Sequence, residues 1–526
     1  MIPAGSPTPR LARRAALRLA WSVGAGAAMT GLLAACGGST GQATPATGSS
    51  ATTAAAASSA TASSAAASAS ATTSSAAPTS AATASSAAVS SSAVSTGAAT
   101  SSSAAPVASS SVLTGSVSGS GKVLTLSGYG DANTLANYKA VVEKFNAQFA
   151  GRYQIQPTII AFGDYIDKTL TMLSSGTAPT VFNVWAQYKP EWATKGLLLD
   201  LSSHILSSKD AAPDLYLKPM VDAMQYQGKY WGTAQDFNGQ LLYLNTDLFR
   251  EKGLDLPKDD WTYDAWRQLA RQLTNPSKQQ FGGTNDANEE GWQQFCIIAN
   301  YSKHYWVDAA QKKALLDDQP TLDALTFFQQ AAYNDQSLPS AAHPLSPNTG
   351  FTTGNLAMTL GWGNYPYAIY QATTKPGAST FNWIWHTLPK GPQGQQHFSQ
   401  GHLWSIAKAY PQPDEAWTLA EWVGGLPGWQ AWTAVGKGQP LPMKDAPSWA
   451  QYLSFLPNDV ATKFRDFMIN TIYGQLAVNF EYWTTYGRCS AVMSKALQTI
   501  YGKSPGSAQS ALGDAAQQMN AILASA

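Results

Sequence analysis

Residues 37–121 consist almost entirely of Ala, Ser, Thr and Gly and contain no charged residue and no Phe, Tyr or Trp. Such a segment buries too little apolar surface to offset the conformational entropy that is lost on folding. We therefore predict a disordered tether over this segment, with hydroxyl groups that are candidates for O-glycosylation. The folded part is then confined to residues 122–526, which is long enough for two packed lobes.

The residues before the tether predict export. The first eighteen residues carry four arginines and no acidic residue, and residues 19–35 carry no charge, which is the pattern of a secretory signal peptide over residues 1–35. This stretch, diluted by Gly and Thr, is short for a membrane span, which needs about 20 apolar residues. The sequence Leu33-Ala34-Ala35-Cys36-Gly37 resembles the cleavage box of bacterial lipoproteins, which implies that Cys36 becomes the lipidated first residue. We expect an extracytoplasmic protein that this lipid alone anchors to the outer face of the membrane.

Charge and composition exclude several classes of function. With 33 basic and 32 acidic residues, the chain lacks the basic field that nucleic-acid binding requires. The six histidines are scattered without an HExxH or similar pair, so we expect no metal site and no other cofactor. Spacing leaves open whether Cys296 and Cys489 pair. The load of 18 Trp, 22 Tyr and 17 Phe exceeds what packing tends to require, which indicates that some rings serve binding.

Apolar periodicity predicts alternating strands and helices at the start of the folded part. Residues 122–127, Tyr153–Phe162 and Thr180–Trp185 have the composition of strands. Helical spacing predicts helices over 135–149 and from Asp164 to Gly176 between them. This order is typical of a largely parallel α/β sheet with helices on its faces.

Ligands of parallel sheets bind beyond the carboxyl ends of the strands. Tyr129 and Asp131, after the first strand, and Trp185, at the end of the third, fall at this edge, so we predict them as ligand contacts. Amphipathic patterns predict three later helices. These helices are Asp323–Asp335, Pro413–Gly424 and about Ala508–Leu523.

Four segments occur in the order that is found in one protein family. They are "LSSGTAPTVFNVWA", "GKYWGTAQDFNGQLLYLNTDLFREKGLDLPKDDWTYDAW", "FTTGNLAMTLGWGNYP" and "LPKGPQG". On these segments, residues 122–526 resemble the sugar-binding family of extracellular solute-binding proteins of ABC importers, typified by maltose-binding protein. The resemblance implies a two-lobed periplasmic-binding-protein fold (type II-like), with a mainly parallel sheet flanked by helices in each lobe and a cleft between them. It also implies a monomer that is not an enzyme, with a carbohydrate ligand and an ABC permease as partners.

The same resemblance implies where the chain passes between the lobes. The crossings are expected at about Gln235–Leu242, near Ile384–Leu388 and near Val435–Leu441. Ligand would bind between the lobes, hinge motion would close them, and the permease would recognise the closed form. The lobes would comprise residues 122–236 with about 387–436, and about 240–386 with 437–526.

Position within the matching segments implies which residues contact the ligand. A pyranose presents hydroxyl groups to planar hydrogen-bonding side chains and C–H faces to aromatic rings. Asp236 at the first crossing is the implied carboxylate, and Trp362 is an implied stacking ring. A further segment, "NFEYWTTYGRCSAVM", resembles the family segment that supplies a second stacking ring, which is Trp483 here. For His402 and Trp404, near the mouth of the second crossing, ligand contact stays open, although packing is the favoured interpretation. The remaining candidates are Trp185, Gln187, Tyr188, Tyr129, Asp131 and Tyr365.

Two other functions compete with sugar capture. A glycosidase needs two facing carboxyl groups about 5–5.5 or 6.5–9.5 Å apart, and the sequence offers no obvious pair. A binder of a peptide, a polyamine or a phosphorylated glycerol would use the same fold. The few basic residues near the proposed cleft argue against a phosphate or polyanionic ligand.

Overall fold

The computed structural model describes residues 112–525 except 118–119, 285–293, 311, 346, 377–379, 436–441 and 480–482. The predicted signal peptide, Cys36 and nearly all of the tether lie outside the described residues. The expected return crossing near Val435–Leu441 also lies almost wholly outside them. Among the described residues, no helix combines the length and the apolar character needed to cross a membrane.

Strands and helices alternate in the first third of the described chain, and helices dominate its end. The strands are β1 (Val112–Thr114), β2 (Lys122–Tyr129), β3 (Tyr153–Ile160), β4 (Val181–Trp185), β5 (Gln225–Tyr226), β6 (Lys229–Tyr230), β7 (Thr233–Asn245), β8 (Val307–Asp308), β9 (Lys313–Ala314), β10 (Met358–Trp362), β11 (Trp383–His386), β12 (His397–Ser405) and β13 (Ala477–Asn479). The helices are α1 (Ala132–Gln148), α2 (Tyr165–Ser175), α3 (Lys189–Thr194), α4 (Ser202–Ser207), α5 (Lys218–Met224), α6 (Thr246–Glu251), α7 (Tyr263–Leu273), α8 (Gln294–Ser302), α9 (Gln319–Tyr333), α10 (Pro347–Thr352), α11 (Tyr365–Thr373), α12 (Pro413–Gly424), α13 (Leu426–Val435), α14 (Ala446–Tyr452), α15 (Asn458–Asp466), α16 (Tyr486–Tyr501) and α17 (Ala508–Ala524).

The predicted strand and helix order at the start of the fold is confirmed, but the fold begins before residue 122. β1, which lies within the predicted tether, pairs antiparallel with β3. β2 pairs with β3 and with β4, both in parallel, and α1 and α2 connect them. The third strand, β4, is buried throughout, as expected for a strand covered on both faces. β3 ends at Ile160, before the predicted Phe162, because Phe162–Asp164 form a short 3₁₀ turn. α2 ends at Ser175, and the next residue, Gly176, has a φ of 72°, the left-handed conformation that favours glycine.

The later helices also follow the sequence pattern. α12 has the predicted bounds, and α17 ends one residue beyond the predicted helix. α9 begins four residues before the predicted start, because Asp318 accepts a hydrogen bond from the backbone N–H of Thr321 and so caps the helix earlier.

One long strand connects the two halves of the fold. β7 has 13 residues, all buried. Its first half pairs antiparallel with β12, and its second half pairs antiparallel with β10 and β11. β12 in turn pairs with β4, so nine of the strands in the described ranges form a single sheet. The expected crossing at Gln235–Leu242 lies within β7, and the expected Ile384–Leu388 crossing overlaps β11.

Two large hydrophobic clusters lie on this framework. The first is built mainly from β2, β3, β4, α1, α5 and α12, and the second from α7, α8, α9, α16 and α17. β7 contributes Phe237 to the first cluster and Leu242 to the second. Within the range 437–526, α14 packs in the first cluster and α16 and α17 in the second. The division of the chain into lobes by residue range stays a prediction.

Candidate ligand-binding site

Aromatic rings meet where the parallel strands end. We call Tyr129, Phe162, Tyr165 and Trp185 the N-terminal aromatic cluster. Phe162 stacks on Trp185 with ring centroids 5.1 Å apart and planes 28° apart. The ring of Tyr129 meets Trp185 edge-on at 5.4 Å. The four rings therefore form one continuous aromatic cluster at the carboxyl edge of the sheet.

A buried carboxylate and an imidazole lie beside this cluster. β7 and β12 place Asp236 and His402 directly opposite each other, and the Oδ1 atom of Asp236 accepts a hydrogen bond from Nδ1 of His402 at 2.7 Å. The His402 ring lies 5.7 Å from the ring of Tyr129 and 6.0 Å from that of Trp185. Asp236 is completely buried, and its Oδ2 atom has no hydrogen-bond partner among the described residues.

Tyr129 links the N-terminal aromatic cluster to His402. Its hydroxyl oxygen lies 3.4 Å from Nδ1 of His402. Burial, and secondarily the charge of Asp236, raises the pKa of Tyr129 well above its ordinary value. The hydroxyl group therefore remains a hydrogen-bond donor at any physiological pH.

Alternation along the two strands extends this pair into a polar surface. Successive side chains of a strand point to opposite faces, so Asp236, Asn238 and Gln240 share one face of β7. Gln400 lies opposite Asn238, as His402 does opposite Asp236. We call these five residues the polar strand face. On the opposite face, Phe237 packs against the ring of Tyr473 at 5.1 Å.

Several polar atoms of the polar strand face have no hydrogen-bond partner within the described ranges. Oδ1 of Asn238, Nε2 of Gln240 and Oε1 of Gln400 are buried and have no hydrogen-bond partner among the described residues. An unsatisfied buried polar group costs about 1–3 kcal/mol. The surface therefore offers both donors and acceptors to a bound molecule.

Gln187 adds a further unsatisfied amide near the end of β4. It is 1% exposed, and neither its Oε1 nor its Nε2 atom has a partner among the described residues. Next to it, the ammonium group of Lys189 donates to the backbone oxygen of Gln225 at 2.6 Å and to that of Ala223. Burial lowers the pKa of Lys189 well below its ordinary value. These bonds fix the turn that carries Gln187 to α5.

Tyr188 lies between the two hydrophobic clusters and packs against both. Its ring contacts Trp185 at 6.0 Å and Tyr486, at the start of α16, at 5.3 Å. Tyr486 in turn contacts Trp483 at 5.4 Å. Trp483 is 4% exposed within the second cluster. This row of rings links the predicted contact Trp483 to the N-terminal aromatic cluster through two intermediates.

Trp362 ends β10 beside the polar strand face. Its Cα is the register partner of Gln240 on β7, and its ring meets Phe398 edge-on at 6.0 Å. The side chain is only partly buried. Trp362 therefore flanks the polar strand face at the Gln240 end, while Trp185 flanks it at the His402 end.

The structure does not bring Asp131 and Tyr365 to this surface. Asp131 is exposed and caps α1 by accepting from the backbone N–H of Thr134 at 3.0 Å, a bond that lowers the pKa of Asp131. Tyr365 is 5% exposed, and its ring packs 5.2 Å from that of Tyr243. A Cβ atom on Gly361 would lie 2.8 Å from the Tyr365 ring. Gly361 therefore makes room for core packing.

The sequence pattern does not indicate Phe162, Asn238 and Gln400 as site residues. It places Phe162 at the end of a strand, and it favours packing over ligand contact for His402. A signal is present, since a polar residue stands at every second position of "DFNGQ" and of "QGH". On two long neighbouring strands this alternation gives a shared polar face.

The described cysteines play no disulfide role. Cys296 and Cys489 are both free and buried. Cys296 donates from Sγ to Oε1 of Gln240 at 2.8 Å, and burial raises its pKa. Among the described residues, no group of three or more His, Cys, Asp and Glu side chains is arranged to hold a metal ion.

Two hydrophobic clusters that share long strands, with a polar face on those strands and aromatic rings around it, define a two-lobed α/β binding protein. The family model of the bacterial extracellular solute-binding proteins matches residues 140–458, which is more than half of the chain. The chain belongs to this family.

Solved structures agree on the fold. An ABC substrate-binding protein of Listeria monocytogenes in complex with cycloalternan matches with a TM-score of 0.66 at 19% identity, covering 77% of this chain and 99% of that one. Maltose-bound MalE3 of T. maritima matches with a TM-score of 0.62 at 17% identity over 76% and 99% of the two chains. A solute-binding protein of Agrobacterium radiobacter K84 in complex with ribitol matches with a TM-score of 0.63 at 19% identity over 77% and 99%. No curated relative was found by sequence comparison.

Proposed function

We propose that this protein captures a neutral carbohydrate at the polar strand face and delivers it to an ABC permease. The observation that carries the proposal is the Oδ2 atom of buried Asp236, which no described residue satisfies with a hydrogen bond. It lies between the amides of the polar strand face and the N-terminal aromatic cluster. Such a carboxylate oxygen accepts strongly from a sugar hydroxyl. The surrounding amides both donate and accept, and the rings match the C–H faces of a pyranose.

The ligands of the structural relatives support this choice. Cycloalternan, maltose and ribitol share many hydroxyl groups and carry no charge. Among the described residues of the polar strand face, the acidic side chain is that of Asp236, and it is hydrogen-bonded to His402. That arrangement suits a neutral polyhydroxylated ligand better than an anionic one.

Burial of the polar strand face supports a hinge mechanism. Asp236 is fully buried and His402 is 5% exposed, so a ligand reaches them only when the two halves of the fold separate. The ring of Tyr188, which packs against both clusters, lies 5.3 Å from the ring of Tyr486 in the second cluster, and these two rings would separate in that motion. The permease would then recognise the closed form. Lipidated Cys36 and the tether would hold this monomer near the outer face of the membrane.

A non-enzymatic role fits the site better than glycoside hydrolysis. A glycosidase needs a second carboxyl group facing the first. The described residues of the polar strand face include one carboxylate, Asp236, and the groups beside it are amides and an imidazole. We therefore assign binding, and not hydrolysis, to this surface.

Calorimetry with a reducing-sugar assay in parallel tests the proposal. The mature protein is titrated with maltose, mannobiose, mannotriose, tagatose and ribitol, and each mixture is then assayed for released sugar. Saturable binding of at least one compound without release is expected. Steady release of reducing sugar would identify an enzyme. If none of the compounds binds, a non-sugar solute is favoured.

A further inference from the structure

We infer that Phe162 is the ring on which the ligand stacks in the N-terminal half of the site, and that Trp185 supports it from behind. This assignment rests on the proposed function and adds a specificity-determining residue to it. Phe162 follows β3 after Ala161, in a turn that the apolar sequence pattern assigns to a strand. Its ring contacts Tyr129 at the end of β2 and Trp185 at the end of β4.

The rings of Phe162 and Trp185 differ in solvent exposure. Phe162 is 48% exposed, whereas Trp185 is 4% exposed. Phe162 covers Trp185 in a near-parallel stack at 5.1 Å, and Tyr165 lies nearly parallel to Trp185 at 6.3 Å. Because these neighbours enclose Trp185, a ligand ring meets Phe162 first.

The backbone next to Phe162 borders open space. A Cβ atom added to Gly163 would meet no heavy atom within 4 Å. An exposed phenyl ring beside open space normally costs solvation free energy, since its apolar area stays in water. A ligand face laid on Phe162 would remove that area from water.

The ring also lies within reach of the polar groups. Phe162 contacts Tyr129 at 5.6 Å, and the Tyr129 hydroxyl oxygen is 3.4 Å from Nδ1 of His402, the partner of Asp236. A sugar that stacks on Phe162 therefore has hydrogen-bonding groups at its edge. This is the combination that an amphipathic pyranose requires.

The alternative role of Phe162 is to shield Trp185 without touching ligand. Replacement by leucine distinguishes the two, because leucine keeps apolar cover but lacks a flat ring. We would compare Phe162→Leu, Phe162→Ala and Phe162→Tyr with the wild-type protein by calorimetry against maltose and mannobiose. Leu206→Ala, which removes a 65% exposed apolar side chain from α4, is the matched control.

Stacking predicts that Phe162→Ala and Phe162→Leu each raise the Kd of the sugar that the wild-type protein binds by about tenfold, the scale of a lost aromatic contact. Phe162→Tyr and Leu206→Ala should keep the wild-type Kd. Thermal unfolding of all variants should stay close to that of the wild type, since the ring is half exposed. Wild-type affinity in Phe162→Ala, or full affinity in Phe162→Leu, would overturn the assignment while the proposed function stands. If the wild-type protein binds no sugar of the panel, both the assignment of Phe162 and the proposed function are overturned.

Discussion

His402 and Asp236 are 166 residues apart in the sequence, yet Nδ1 of one lies 2.7 Å from Oδ1 of the other. The register of two long antiparallel strands creates the pair. Because Oδ1 is committed to His402, the second carboxylate oxygen is left for a ligand. The same register sets Asn238 beside Gln400, so the central polar surface is a property of strand pairing across the two halves of the fold.

Trp362 and Tyr365, three residues apart, should respond differently to truncation. Trp362→Ala is expected to weaken sugar binding by about 1–3 kcal/mol, because a partly exposed ring at the rim of the polar strand face is lost while the fold persists. Tyr365→Ala should lower the free energy of unfolding by about 3 kcal/mol or more, since its buried ring packs on Tyr243. Calorimetry and urea unfolding measure the two effects. Normal binding by Trp362→Ala would remove this residue from the site.

Asp131 is predicted to support α1 and not the ligand. Asp131→Ala removes the hydrogen bond to the Thr134 N–H and should lower the free energy of unfolding by about 1 kcal/mol, the usual effect of losing a helix N-cap. The sugar affinity should stay at the wild-type value. A large loss of affinity with unchanged stability would instead return Asp131 to the site.

His397, on β12, should make stability depend on pH. Its Nδ1 donates to the backbone oxygen of Gln240 and its Nε2 accepts from the backbone N–H of Leu388, and burial lowers its pKa to about 4. At pH values between this pKa and the unfolded-state pKa of about 6.5, His397 is protonated in the unfolded chain but not in the folded chain. The free energy of unfolding should therefore fall as the pH falls through this window, by up to about 3 kcal/mol from this group.

The control for His397 is His397→Gln, whose amide can serve both hydrogen bonds but does not titrate. Urea unfolding of the two proteins at pH 7 and pH 4.5 gives the contribution of this histidine, since the other titrating groups are common to both. Wild-type stability should fall more than that of His397→Gln. Parallel pH dependence of the two proteins would show that His397 is protonated as readily in the folded state as in the unfolded one.

The family and the α/β class are predictable from the sequence because they depend on local order. Strand and helix periodicity locates β2, β3 and β4, and ordered motifs such as "FTTGNLAM" point to the family from the amino-acid sequence alone. Asp236 and Trp362 can be predicted from the sequence for the same reason, since each lies inside such a motif.

The rest of the site depends on contacts that one sequence does not display. His402 joins Asp236 only through the β7 and β12 register, which includes a bulge between His402 and Leu403. Phe162 acquires its position from a turn that ends β3 two residues early. Asp131 is misleading because a helix cap and a ligand-binding loop favour the same residue at the end of a strand.

Titration of wild-type protein, Asp236→Asn and Asp131→Asn with the sugar that the wild-type protein binds is the most direct test of the account. Asp236→Asn keeps the side-chain shape and an oxygen for His402, but it replaces the free acceptor Oδ2 with a donor. We predict a loss of about 1.5–3 kcal/mol in binding free energy, the scale of a charged hydrogen bond, with Asp131→Asn at the wild-type affinity. Wild-type affinity in Asp236→Asn would contradict the assignment of the polar strand face as the binding surface.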